Sequence, residues 1–277
     1  DLGAINPEKL GYREIVRWST WAGASMMVTS GLVAFLMQWE VITRSFGAVT
    51  AIFKKNTKIE NDPLEQIEVP TWWFLTGAGL SGLGCMGVLY FAFETSLIMG
   101  LVAVLMTLVL SLVACRATGE SDITPIGAMG KITQLMFGVL APAKMVTNLM
   151  TASVTAGAAG SAADLLTDLK SGYLLGANPR KQFIAQYLGI FAGVLVVVPA
   201  FYLLVPDASV LGTEQWPAPA AQVWKAVAEL MAKGLDSLHP TAQMGMLVGG
   251  LVGIVIPLLT HFAPKKVKAF IPSAMGL

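Results

Sequence analysis

Two stripes of polar residues interrupt otherwise apolar text, and their spacing is that of one helix face. Gly127, Lys131 and Gln134 stand at i, i+4 and i+7, and Lys144, Asn148, Thr151 and Thr155 stand at i, i+4, i+7 and i+11. Residues so spaced share one side of a helix. Two neighbouring helices decorated in this way would line one cavity, where ammonium, amide and hydroxyl groups could hold a polar solute. The alternative is structural: such side chains also snorkel to an interface or bridge helices. Charges inside apolar segments are costly and usually mark a pathway or a pair. The substrate-binding candidates are therefore Lys131, Gln134, Lys144, Asn148, Thr151 and Thr155.

Four acids flank these stripes. Glu120 and Asp122 precede Pro125 and a helix start, where they serve either as protonatable carboxylates or as a cap that complements the helix dipole. Asp164 and Asp168 lie one turn apart. Buried, they would share a proton; exposed, they would face water or pair with Lys170, Arg180 or Lys181. Glu120, Asp122, Asp164 and Asp168 are the proton-coupling candidates.

The elements that must position these groups are apolar runs. The chain has 277 residues, 55% hydrophobic and only 13% charged, with a net charge of +1. A soluble domain carries about 25% charge, so too few charged side chains exist to cover a water-facing surface. Disorder is excluded by the same numbers, and no basic excess favours nucleic acid. A helical span needs roughly 20 apolar residues. Runs of that kind fall near 18–39, 72–93, 96–115, 183–205 and 241–262. A further stretch, 126–163, is apolar but broken by Gly127, Gly130, Gly138 and Pro142, and its second half is rich in Ala, Gly, Ser and Thr. Such a pair is tolerated at membrane depth only inside protein or beside a water-filled cavity. Residues 116–125 read as a polar loop. In the connection 206–240, Val223, Val227, Leu230 and Met231 share a face and predict an interfacial helix. The expected fold is all-α: a polytopic transmembrane helical bundle, a single membrane domain of about six runs with one broken or re-entrant helix pair. Whether 126–141 crosses or re-enters is open.

Placing Lys265, Lys266 and Lys268 in the cytoplasm and threading backwards puts Arg180, Lys181, Arg116, Lys54, Lys55 and Lys58 on the same side if 126–141 crosses. Arg13 and Arg17 then fall outside, the one disagreement. Cys85 and Cys115 lie in apolar runs as packing residues, and no Cys/His cluster or enzyme motif is present, so neither a metal centre, a cofactor nor catalysis is expected. The text after Pro272 reads as the start of another apolar stretch, which suggests a piece of a longer polypeptide.

The run ACRATGESDITPIGAMGKITQLMFG, residues 114–138, resembles the signature of the oligopeptide transporter (OPT) superfamily. So does SAADLLTDLKSGYLLGANPRKQFIAQ, residues 161–186, and the preceding hairpin fits the family layout. The resemblance is strong over about 70–205. It implies a secondary transporter, largely of the proton-coupled importing kind, for small peptides or metal–chelate complexes, with internal repeats and broken helices near the substrate site. The NPG and KIPPR motifs of the eukaryotic peptide branch are not present; the nearest text is Asn178-Pro179-Arg180. The match is closer to prokaryotic members, which implies a bacterial inner membrane. The function expected is proton-coupled uptake of small peptides. Its alternatives are metal-chelate transport of the yellow-stripe-like kind and, from another class, a structural subunit of a membrane complex. The partners implied are a peptide or metal-chelate substrate, protons, the lipid bilayer and a second copy of the chain, with no nucleic acid.

Overall fold

The computed structural model describes residues 12–37, 39, 40, 43, 67–121, 123–213 and 215–264. Asp122, Lys54, Lys55, Lys58, Lys265, Lys266, Lys268 and the side chains of Glu120, Arg13 and Arg17 lie outside the described residues. The chain folds into the helices α1 (Tyr12–Met37), α2 (Thr71–Phe93), α3 (Leu97–Ser121), α4 (Ile126–Leu140), α5 (Met145–Leu174), α6 (Pro179–Leu204), α7 (Pro219–Lys233) and α8 (Pro240–Phe262). Five of them are long and apolar enough to cross a bilayer: α1, α2, α3, α6 and α8. This is an all-α polytopic membrane bundle.

Local chemistry sets the ends. Pro70 is extended ahead of α2, and α2 stops at Glu94, which takes a left-handed conformation (φ 52°) and donates its N–H to the Leu89 carbonyl. The Thr95 N–H reaches the same carbonyl at 3.0 Å, so a three-residue turn reverses the chain into α3. Asn178 caps α6 by accepting the Lys181 N–H, with Pro179 at the first helical position. Between α4 and α5 the chain breaks: Pro142 has no N–H to give, and Ala143 is left-handed (φ 67°). With 15 residues α4 is about 22 Å long, short of the roughly 30 Å hydrocarbon layer.

One expectation needs correction. Residues 116–125 are not all loop: beyond the apolar run that ends at Cys115, α3 continues through Arg116 to Ser121. Polar side chains do not end a helix whose backbone bonds are satisfied. Here the Thr118 hydroxyl bonds back to the Ala114 carbonyl at 2.8 Å and on to Thr124 Oγ1 at 2.9 Å, which ties the extra turns to the segment beyond.

The contacts fall into two compact units. The first comprises α1, α7, α8, nearly all of α4 and the first turns of α5. Its centre is the α1–α8 contact, where glycines bring two backbones together. A Cβ on Gly249 would strike the Ala22 carbonyl, and one on Gly253 would strike that of Met26. The Thr29 hydroxyl donates to the Gly250 carbonyl at 3.0 Å. The apolar face predicted to lie at an interface, on α7, is covered by protein: Val223 and Val227 pack on Ala24, and Ala226 packs with Trp21, Leu238 and Ala242.

The second unit comprises α2, α3, α6 and the rest of α5. Within it, Gly100 of α3 abuts Met86 of α2, and the Thr107 and Thr155 hydroxyls bond at 3.0 Å between α3 and α5. No residue of α6 is buried.

Candidate functional site

The short α4 carries a buried polar stripe. Lys131, Thr133 and Gln134 are all buried, Lys131 with 3% of its surface exposed. Lys131 and Gln134 are one turn apart, so the Lys131 ammonium donates to Gln134 Oε1 at 2.9 Å. The same ammonium sits 4.2 Å from the centre of the Trp224 ring on α7. Gln134 Nε2 donates to the Trp224 carbonyl at 3.0 Å. From the first turn of α5, Asn148 Nδ2 donates to the Gln134 backbone carbonyl at 2.5 Å. Gln134 thus links three elements: α4, α5 and α7.

Glycine makes this approach possible. The Trp224 ring lies directly on the α4 backbone at Gly130, where any Cβ would fall inside the indole, and Met231 Sδ occupies the same relation to Gly138. The two glycines are two turns apart on α4, and Trp224 and Met231 are two turns apart on α7, so the helices mesh.

The electrostatics are unbalanced. Among the described residues no carboxylate lies within ion-pair distance of Lys131; its partners are a neutral amide and an aromatic face. A buried charge is costly unless paired, and a ring face returns roughly 2 kcal/mol when desolvated. A second imbalance lies at Asn148, whose Oδ1 is buried and accepts no hydrogen bond. Asn148 lines a crevice with Gly138, Ala228 and Met231 that is too small to admit a water.

The stripes are only partly gathered here. Lys131, Gln134 and Asn148 form one network. Thr151 is buried one turn beyond Asn148, with its hydroxyl turned to the Thr147 carbonyl of its own helix at 2.8 Å. Lys144 stands exposed at the α4–α5 break. Thr155 is buried but bonds Thr107, in the other unit. Asp164 and Asp168 are exposed. The Asp168 carboxylate accepts Gln186 Nε2 at 2.6 Å, and its backbone carbonyl accepts Gln182 Nε2 at 2.6 Å. Arg180 turns instead to the Glu68 carbonyl, with Nη2 at 2.7 Å. Trp224 is the member that sequence reasoning missed. Its only local sign is its place on the apolar stripe of α7, ninety residues from the Gln134 it bonds.

An apolar cavity of the first unit is a separate feature. It measures about 370 Å³ and is lined by Trp21, Val28, Leu135, Met231 and Leu251, with almost no polar surface. It offers nothing to a charged solute.

The sequence profile of the OPT oligopeptide transporter protein family matches residues 10–277. The chain belongs to that family. Among the relatives of this OPT chain, the "Putative oligopeptide transporter YGL114W" of Saccharomyces cerevisiae is 30% identical over 213 residues, 74% of this chain and 29% of the yeast protein. From Oryza sativa subsp. japonica, the "Probable metal-nicotianamine transporter YSL14" is 31% identical over 182 residues, and the "Probable metal-nicotianamine transporter YSL12" is 33% identical over 184. Each rice alignment covers 64% of this chain and 25% of the rice protein. The OPT chain therefore spans between 25% and 29% of the length of these relatives. It is an integral membrane protein of a transporter family.

Proposed function

We propose that the protein of which this chain is part is a secondary active transporter, driving the uptake of small peptides with a proton gradient and releasing its cargo chemically unchanged. The observation that carries this reading is the buried network that joins Lys131 and Gln134, on a helix shorter than the hydrocarbon layer, to Asn148 on the next helix. Polar groups at that depth are expensive and mark a solute path, and broken helices near the midplane are where secondary transporters bind cargo. Lys131, Gln134, Asn148 and Thr151 face the path in this reading, with Lys144 at its rim and Thr155 further along α5. Glu120, Asp122, Asp164 and Asp168 are the carboxylates to test for proton coupling. The membrane proposed is a bacterial inner membrane, on the resemblance of the motif text to prokaryotic members; the relatives reported above are from yeast and rice.

A second reading has a specific observation in its favour: several similar proteins are named as metal-nicotianamine transporters. The two separate in one experiment. The full-length protein is reconstituted in proteoliposomes and offered di- to tetrapeptides or metal–nicotianamine complexes, with and without an inward proton gradient. Gradient-dependent uptake of peptides alone is the expected result. Uptake of the chelate alone replaces the first reading with the second. Flux of neither by folded protein leaves transport of both cargo classes refuted.

A further inference from the structure

Lys131 and Asn148 present the two halves of one recognition problem. Among the described residues, the Lys131 ammonium is buried without an anion and the Asn148 Oδ1 acceptor is buried without a donor. Both are one hydrogen bond from the same residue, Gln134: Lys131 through its side-chain oxygen and Asn148 through its backbone carbonyl. The remaining valence of the pair is therefore a negative group beside a donor N–H. No water meets the need at Asn148, because the crevice beside it admits none. One helix closes both positions. Trp224 of α7 lies over Lys131, and Ala228 and Met231, one and two turns on, wall the crevice at Asn148.

We infer that Lys131 and Asn148 form a binding pair for a carboxylate and a neighbouring N–H of the same cargo molecule, and that α7, through Trp224, is its cover. This rests on the transport reading and deepens it. In the closed arrangement the indole face stands in for the missing carboxylate. When α7 or the Trp224 side chain withdraws, the cargo carboxylate takes the ammonium and the cargo N–H takes Asn148 Oδ1. An aromatic face is a weaker partner for an ammonium than a carboxylate in a low dielectric, so cargo can displace it. Carboxylate next to N–H is common to peptides and to amino-carboxylate chelates, so the pair recognises the shared chemistry of both cargo classes.

The test uses the full-length protein in lipid nanodiscs. Equilibrium binding is measured for the dipeptide Ala-Ala, for its C-terminal amide, and for nickel(II)–nicotianamine. In the wild type, amidation of the dipeptide should weaken binding tenfold or more. Lys131→Met should weaken the free dipeptide by a similar factor, and amidation should then cost the variant almost nothing further. Asn148→Leu should weaken binding several-fold while leaving the amidation effect intact. If the chelate is the cargo, Lys131→Met should weaken the chelate instead. Trp224→Ala should speed association, because the cover is gone. The wild-type arm needs no variant to fold, and a thermal melt of each variant separates lost binding from lost structure. Binding that ignores amidation, or amidation and Lys131→Met effects that multiply, overturns the pair while leaving transport standing. Binding and flux of neither probe overturn both.

Discussion

Lys131 and Gln134 on α4, and Asp164 and Asp168 on α5, obey the same helical arithmetic and meet opposite surroundings. The first two are sealed under α7, with every bond made to protein. The second two are exposed, one of them tied to Gln186 on the next helix. A spacing of three or four residues says that side chains share a face. It does not say what covers the face. What covers α4 is a helix that arrives ninety residues later and fits because Gly130 and Gly138 leave room. Among the described residues, the face of α5 that holds Asp164 and Asp168 is met by glutamine side chains of α6 but stays exposed.

The contrast can be broken by substitution, read as the stability of the full-length protein in detergent. Gln134→Leu should have the largest effect, a loss of about 3 kcal/mol, because it leaves a buried ammonium with no acceptor. Thermal unfolding followed by intrinsic fluorescence measures it. Gly249→Val should cost about 2 kcal/mol by forcing α8 away from the Ala22 carbonyl, a backbone group that cannot swing aside. Denaturant titration against the wild type reads that difference. Thr155→Val should cost about 0.6 kcal/mol, the usual worth of a hydroxyl bond between membrane helices. A double-mutant cycle with Thr107→Val isolates it. Asp168→Asn should change stability by less than about 0.5 kcal/mol, as exposed substitutions do. Should Asp168→Asn destabilise as much as Gln134→Leu, the contrast between covered and uncovered faces is wrong.

Much of the architecture is legible in the sequence. The α2–α3 hairpin was marked by Glu94-Thr95, the one polar break between two apolar runs, and the break before α5 by Pro142. Both are signals carried by a few adjacent residues, which act through backbone geometry alone. The polar text from Arg116 reads as loop, yet it is helical to Ser121, because Thr118 bonds back into the helix and lets it run on. The polar stripe on α4 was readable from its period. Its partner was not: α7 has an apolar face that suits lipid or protein equally, and nothing near Trp224 in the sequence says that its ring will rest on Gly130. Long-range complementarity between a glycine and an indole leaves no local trace.

The Thr29–Gly250 bond joins residues 221 positions apart. A ribosome adding about 5–20 residues each second needs roughly 10–45 s to cover that distance. During biosynthesis the face of α1 that holds Ala22, Ser25 and Thr29 therefore meets α8 only after that interval, while the two helices of the α2–α3 hairpin, joined by three residues, emerge one directly after the other. Until α8 is made, that small-residue face of α1 lacks the partner it has in the folded unit, and a factor that guards incomplete membrane proteins would find a target there.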